Sequence, residues 1–536
     1  MRARGFALDQ GLLRASNRVE FVGKSRTDPS IDLRVSFPDS FPSKAPHVHT
    51  TSAVLLKRHQ RPDTREICTF GPTRARWSAS LSSTAAIDEA ETVIADVSLA
   101  ATSSEPRYLD DVPEPVSALY CYQNTFALIP PAIAAFAAKM PEGSSAKFAL
   151  RFDNWPDQQK TRNGPGRGIV TEIRDKSQDK AQAESCHEKL VKREFEISGK
   201  VVRVGKAPPS TTEASELNSW VGSLGHERTD WMAFVFPEQS GNAATHRLAW
   251  LLVRFRPRLE YIRTFVMDEG GRAARIPGLA FLGDKRIVFV GCGSLGSKIA
   301  ASLAATGVNH FGLVDFDFLE PDNAVRHESG VNLFGLPKVF ALRNRIFELN
   351  PQALDNTKML QTVIGGTNDL PQEKELQELL AQASLVVDTT GDHGVSRFLN
   401  DICGELNVPQ LYASVTNGAW GGELVRVIPS CTACWMCWFA QYESSPPSAE
   451  PAADVGVFAP GCDQPTFTGT SYDLDVIAGL AGSLAVDTLR INDSNRTHYE
   501  GDYIRCQLRN SEGRFLPIIE VLPTQKRKPC PFCNPN

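Results

Sequence analysis

The chain has 536 residues, a formal net charge of −5, 42% hydrophobic and 22% charged residues, values of an ordinary globular protein with room for about two to four cores. The slightly acidic balance, with no basic stripe interleaved with aromatics, gives no reason to expect nucleic acid, and the longest apolar stretch, FALIPPAIAAFAA, is too short for a membrane span and holds two prolines. The start lacks an apolar run of signal-peptide length, so the 12 cysteines read as reduced cytoplasmic thiols, to be assigned to metal or catalysis before disulfides.

Residues 1–105 alternate short strand-like runs (RVEFVG, IDLRVSF) with proline turns and end in AAIDEAETVIADVSLAA, whose apolar spacing predicts a helix. The segment TSSEPRYLDDVPEPVS, with three prolines, reads as a linker. Residues 106–275 form a mixed middle region: SQDKAQAESCHEKLVKREFEI predicts a charged helix, RNGPGRG a turn and HRLAWLLVRFRP a buried strand. No motif there points to a chemistry. From residue 276 to 536, strand and helix patterns alternate as in a mostly parallel α/β sheet.

That last region opens on RIVFVGCGSLGSKIAASLAATGV, a buried strand, a glycine turn and a helix start. Gly291, Gly293 and Gly296 alone are a weak signal; placed between strand and helix, they suit close approach of a phosphate to backbone N–H groups. The next strand ends in Asp315 and Asp317, an acid position that NAD and ATP would both use for ribose. Asn323, Arg326 and Lys338 follow in DNAVRHE and GLPK. Two cations and an amide suit a triphosphate rather than NAD. A further strand ends at Asp388, a plausible magnesium carboxylate.

The ordered set GCGSLGS, DFDFLEPDNAVRHE, GLPK, ELNP and VVDTTGD resembles the adenylation (ThiF/MoeB-type) domain of ubiquitin-activating enzymes and their molybdopterin and thiamine relatives. The resemblance implies a Rossmann-like fold over about residues 280–536, with ATP ribose on Asp315, phosphates on Asn323, Arg326 and Lys338, and Mg2+ on Asp388. His327 and Ala324 stand where the family usually has Gln and Leu.

CTACWMC and CPFC present Cys431, Cys434, Cys530 and Cys533 as two Cys-x-x-Cys pairs, a donor set for tetrahedral Zn2+, with Cys437 as a surplus thiol able to substitute. Similar adenylation domains carry such a site. By the same resemblance Cys462, in a Gly/Pro/Thr-rich loop, takes the acyl group from AMP, whereas Cys292 in the glycine turn reads as a packing residue. Nearer the N-terminus, VSFPDSFPSKAPHVH, RHQRPDTREICTF and Trp77 resemble the ubiquitin-conjugating α+β fold, with Pro42 and Pro46 in its proline turn, His59 in its histidine motif and Cys68 as its acyl acceptor. Arg58, Arg61 and Arg65 would favour a thiolate at Cys68. The family's oxyanion asparagine is missing, with Gln60 or Arg61 as stand-ins.

Fusions in this order resemble bacterial antiphage-operon proteins. The resemblance implies adenylation of the C-terminus of a ubiquitin-like protein or partner enzyme, a thioester on Cys462, transfer to Cys68 and conjugation to a target lysine, by a homodimer. The alternative is sulfur-carrier activation with a docking N-terminal region. A non-enzymatic nucleotide scaffold would have no use for Arg326, Lys338 and Asp388 together.

Overall fold

The computed structural model describes residues 1–51, 60–61, 64–70, 76–100, 125–152, 166–183, 195–209, 213–239, 246–255, 259–267, 275–365, 370–444, 468–493 and 499–533, except positions 176, 178, 277 and 492. The chain divides into two compact units, Met1–Asp268 and Glu269–Asn536.

The first unit begins with helix α1 (Gln10–Ser16) and an antiparallel meander, β1 (Ala7–Leu8), β2 (Glu20–Lys24), β3 (Asp32–Ser36) and β4 (His47–Thr50), paired in that order. Alternation puts Leu33, Val35 and Val48 on one face, against Ile87, Ala90 and Ile94 of helix α2 (Ala85–Ala100). These residues are at most 3% exposed, and fully burying each Val, Leu or Ile stabilises by about 1.5–3 kcal/mol. The helix stands where apolar spacing predicts it. The linker segment at 102–117 lies outside the described residues.

A second sheet of the first unit holds β5 (Thr125–Ile129), β6 (Ser145–Phe152), β7 (Gly166–Arg174), β8 (Lys180–Gln182), β9 (Phe195–Arg203), β10 (Trp231–Gln239), β11 (His246–Arg254) and β12 (Glu260–Val266). Its order is β5-β12-β11-β10-β9-β6-β7-β8, and an added β5–β7 pairing closes seven of the strands into a ring. Both faces are apolar: Ala233, Val235, Trp250 and Leu252 pack with helix α3 (Pro131–Lys139), while Phe234, Phe236, Leu251 and Val253 pack with helix α4 (Ala214–Ser223). The predicted buried strand is β11. The predicted charged helix is corrected where it can be seen: residues 180–182 are β8 and 195–197 open β9. Cross-strand pairing, to β7 and β6 respectively, overrides the local helix preference.

The second unit is an eight-stranded sheet of β13 (Arg286–Val290), β14 (His310–Val314), β15 (Thr357–Leu360), β16 (Leu385–Asp388), β17 (Gln410–Val415), β18 (Gly421–Val427), β19 (Tyr503–Arg509) and β20 (Phe515–Leu522), ordered β15-β14-β13-β16-β17-β18-β19-β20. The first five strands are parallel and the last three antiparallel. Helices cover both faces: Ile287 and Phe289 pack with helices α5 (Ser294–Thr306), α6 (Lys338–Leu349) and α10 (Ser471–Leu489), while Val288 and Val290 pack with α7 (Leu370–Ala381) and α8 (His393–Leu406). Such two-sided burial explains why the parallel strands read as continuous apolar runs. Strand order reverses between β13 and β16, and open α/β sheets bind ligands at the carboxyl ends flanking such a switch.

Candidate active site

The glycine turn lies at that switch. Gly291 leaves β13 with φ +91°, and a Cβ there would sit 2.9 Å from the Thr389 carbonyl carbon, just past β16. At Gly296 a Cβ would fall 2.1 Å from the Gly291 carbonyl oxygen. These two glycines let strand, turn and helix interlock. Gly293 differs: a Cβ there would meet nothing within 4 Å. It is the N-cap of α5 with no side chain capping the helix, so the first N–H groups face open space suited to an anion.

The acids and cations converge on this turn from separate elements. Asp315, after β14, accepts from the Cys292 N–H at 2.6 Å and the Asp317 N–H at 2.9 Å. Arg326 Nε donates to Ser294 Oγ at 2.8 Å, placing a half-buried guanidinium beside the helix start, where burial lowers its pKa. Lys338 donates to Asp317. Asn323 Oδ1 accepts from the Glu320 N–H at 3.2 Å, capping the short helix Pro321–Val325. Cys292 is fully buried, and desolvation together with Asp315 drives its thiol well up. It packs rather than reacts.

Asp388 ends β16 wholly buried. Ser396 Oγ donates to one oxygen at 2.5 Å, and the Thr390 N–H and hydroxyl donate to the other at 3.1 and 2.8 Å. Desolvation raises its pKa, these donors oppose the rise, and nearby Asp392 adds to it. These hydrogen-bond partners are neutral, so a divalent cation would add the counter-charge that they do not supply. Thr389 and Thr390 lead from Asp388 into a cleft of about 410 Å³, also lined by Gly293, Ser294, Arg326 and Asn417.

Two contributors, Lys298 and Glu423, escaped the sequence reading, and His327 entered it only as a departure from the family pattern. His327 is buried, and its ring bonds the Cys292 carbonyl at 2.9 Å and the Ser329 N–H at 2.9 Å. Burial lowers its pKa to about 4; the neutral ring donates from Nε2 and braces the glycine turn. Lys298, 5% exposed, ties α5 through its Nζ to Glu328, Ser471 and Asp475. Glu423 of β18 lines the cleft and accepts from the Tyr503 hydroxyl. Neither residue forms a local motif; the partners of Glu423 lie on β19.

Burial pushes the Glu423 carboxyl up to about 7, against the Tyr503 hydrogen bond and the Arg505 charge. The linked stability is fully present below the unfolded value of 4.5 and is lost as pH rises through about 7. Relative to Glu423→Gln, the wild type should therefore lose up to about 3 kcal/mol across that window. Denaturant melts at a series of pH values check this; parallel curves would show an ordinary carboxyl.

The cysteine group differs from the expected one in one member. Sulfur atoms of Cys434, Cys437, Cys530 and Cys533 lie within 4.8 Å of one another, while Cys431 stands apart and exposed. Ser430 adopts φ +64° and turns the chain before Cys431. Cys434 then directly precedes helix α9 (Trp435–Ser444), whose first turn brings Cys437 back beside it, the Cys437 N–H donating to the Cys434 carbonyl at 3.0 Å. The pairs Cys434–Cys530 and Cys437–Cys533 are 3.6 and 3.5 Å apart. This is close to the edge of about 3.8 Å of a tetrahedron with Zn–S of 2.3 Å and far from a disulfide. Burial raises the Cys437 thiol to about 11; at Cys530 burial is outweighed by the Cys533 and Phe532 N–H groups and the facing thiols, giving about 7. Four thiols in this arrangement fit Zn2+.

Cys68 is exposed in the first unit. Trp77 Nε1 donates to the Pro42 carbonyl at 2.9 Å and its ring packs on Phe70, so the quoted proline turn and tryptophan do meet. Gln60 is 3% exposed, and its amide donates to Thr50 and to the Arg65 carbonyl. That engagement removes it as an oxyanion donor. His59 and Cys462 lie outside the described residues.

The chain is 31% identical over 239 residues to the uncharacterized protein y4oA of Sinorhizobium fredii, covering 41% of this chain and 39% of that one. It is 26% identical over 265 residues to the adenylyltransferase and sulfurtransferase MOCS3 of Xenopus laevis, covering 48% and 51%. The ATP-dependent ubiquitin transferase-like protein Cap2 of Vibrio cholerae is 32% identical over 170 residues, covering 31% and 27%. The chain thus spans about half or less of the length of these relatives. No helix among the described residues is long and apolar enough to cross a membrane. Residues 272–531 match the ThiF family, and the second unit is accordingly a ThiF-type domain.

Proposed function

We propose that this protein uses ATP to adenylate the C-terminal carboxylate of a ubiquitin-like protein or partner enzyme and passes the acyl group to a target lysine. The observation that carries the reading is the switch-point arrangement: an uncapped helix start, Arg326 beside it, and buried Asp388 opening through Thr390 into the same cleft. Asp315 holds the ribose, while Arg326, Lys338 and Asn323 neutralise the phosphates. Mg2+, held by Asp388, would supply further positive charge. The carboxylate oxygen attacks the α-phosphorus and pyrophosphate departs. Clustered cations lower the barrier because negative charge develops there.

The Cys462 thiolate then displaces AMP to give a thioester. Cys68 takes the acyl group by transthiolation, and a lysine amine receives it. The antiparallel meander, the exposed Cys68 and the following helix support an α+β conjugating domain at 1–105, with the ring-shaped sheet as a middle domain at 106–275 and activation at 276–536. The Cap2 and MOCS3 matches support the activating half. We place the protein, as a homodimer, in the cytoplasm and in antiphage defence.

With the cognate protein, ATP and magnesium, Cys68→Ala should trap a reducible adduct on Cys462, and Cys462→Ala should show none, by non-reducing gel and intact mass. Charging of Cys68 in Cys462→Ala would remove the relay through the loop cysteine. Unimpaired target modification by Cys68→Ala would leave the first unit a docking module and favour sulfur-carrier activation.

A further inference from the structure

The middle region carries no motif, yet strand register places four of its cations in a line. Lys147 of β6 pairs directly with Arg174 of β7 and with Lys200 of β9, and Arg174 pairs with Lys180 of β8. Directly paired residues of antiparallel strands share a face, so Lys180, Arg174, Lys147 and Lys200 form one row across four strands. Their chain neighbours Ala146, Phe148, Ile173 and Val201 are buried on the opposite face, which leaves the row outside. Lys147 and Lys180 are exposed, and the Arg174 side chain is 42% exposed.

Like charges directly opposite one another destabilise a sheet, so this row opposes folding. Lysine on an edge strand blocks unwanted pairing. That accounts for Lys180 on β8, but Lys147 sits on a strand paired on both sides. Among the described residues no carboxylate ion-pairs with Lys147, Lys180 or Lys200, and Lys200 Nζ donates to the Glu227 carbonyl at 3.0 Å. One carboxylate does reach the row. Glu172, in the adjoining row of Gln182, Glu172, Ala149 and Ser198, pairs with Arg174 at 2.8 Å. The Gln182 amide, and after it Arg174 and Lys180, hold the Glu172 carboxyl below the ordinary carboxylate range.

We propose that this row is a docking strip for an acidic segment of a second polypeptide, laid in extended form across β8, β7, β6 and β9. Neighbouring strands lie about 4.8 Å apart, so the row spans about 14 Å. Same-side carboxylates of an extended segment are about 6.7 Å apart, so three of them span about 13 Å. Charge complementarity of this kind speeds encounter and fixes register. Nucleic acid fits the strip less well. The adjoining row offers no ring on which a base could stack, and it sets the Glu172 carboxylate against phosphate. The assignment gives the middle region a role that does not depend on the adenylation reading.

The test titrates the full-length protein into fluorescein-labelled decaglutamate and reads anisotropy at low and at high salt. The wild type should bind, and binding should weaken steeply with salt. A Lys147→Gln, Lys180→Gln double variant should bind about tenfold more weakly. A Lys44→Gln, Lys374→Gln double variant removes the same charge from exposed sites elsewhere and should bind as the wild type does. Because its neighbours repel it, Lys147→Gln should melt no lower than the wild type. No binding by the wild type, or equal losses in the two double variants, overturns the proposal. A decathymidylate probe bound more tightly than decaglutamate, and released by the same two substitutions, overturns the polypeptide as occupant in favour of nucleic acid. A melting temperature lowered by Lys147→Gln would mark that lysine as a structural residue and also overturn the proposal.

Discussion

Cys437→Ser should strip zinc from the protein and lower its melting temperature, while Cys431→Ser should change neither. The four sulfurs that converge include Cys437 and exclude Cys431. Removing one leaves three thiols, two of them buried, without a closed tetrahedral site. Loss of a structural metal belongs to the small class of changes costing more than about 4 kcal/mol. A chelator should reproduce the effect in the wild type. Elemental analysis should find one zinc per chain in wild type and Cys431→Ser, and almost none in Cys437→Ser. Metal retained by Cys437→Ser but lost by Cys431→Ser would restore the pairing that the sequence first suggests.

Asp388→Ala should reduce ATP–pyrophosphate exchange by about 10²-fold or more, the scale of losing a preorganised electrostatic contact. The variant also leaves the Ser396 and Thr390 donors without their acceptor, so Asp388→Asn, which keeps an acceptor, is the cleaner test and should be nearly as inactive. Because burial raises the Asp388 pKa, wild-type exchange should fall as pH is lowered, once the carboxyl is neutral and offers no charge to a cation. A Cys68→Ala, Cys462→Ala double variant should retain exchange, since adenylation precedes any thioester. Exchange indifferent to Asp388→Asn would remove this carboxylate from the phosphate chemistry.

The residues legible in the sequence are those whose roles are set by local order along the chain. A buried parallel strand, a glycine turn and a helix must follow each other within a few residues, so Gly291, Gly293 and Gly296 announce themselves. Asp315 and Asp388 are legible because each ends an apolar run. What escaped depends on contacts between distant segments. Glu423 owes its raised pKa to burial, and the Tyr503 hydroxyl that donates to it and opposes the rise lies 80 residues away. Cys431–Cys434 and Cys434–Cys437 have the same spacing, and only the backbone turn at Ser430 and the start of α9 choose between them. The ring in the middle region rests on pairings such as β5–β12, whose members are more than a hundred residues apart, and short charged runs there carry helix-like composition into strands.

Thr468 is hydrogen-bonded through its hydroxyl to Asn417 Oδ1 at 3.1 Å, and Asn417 lines the cleft beside the glycine turn. Cys462 precedes Thr468 by six residues, and six residues reach at most about 20 Å. Whatever path those residues take, the thiol is leashed to the cleft wall by a short tether. For an acyl-adenylate formed in that cleft, such a leash converts a diffusive encounter into an intramolecular one, with a local thiol concentration in about the millimolar range. Lengthening the leash would dilute the proposed nucleophile without altering a single described contact in the cleft.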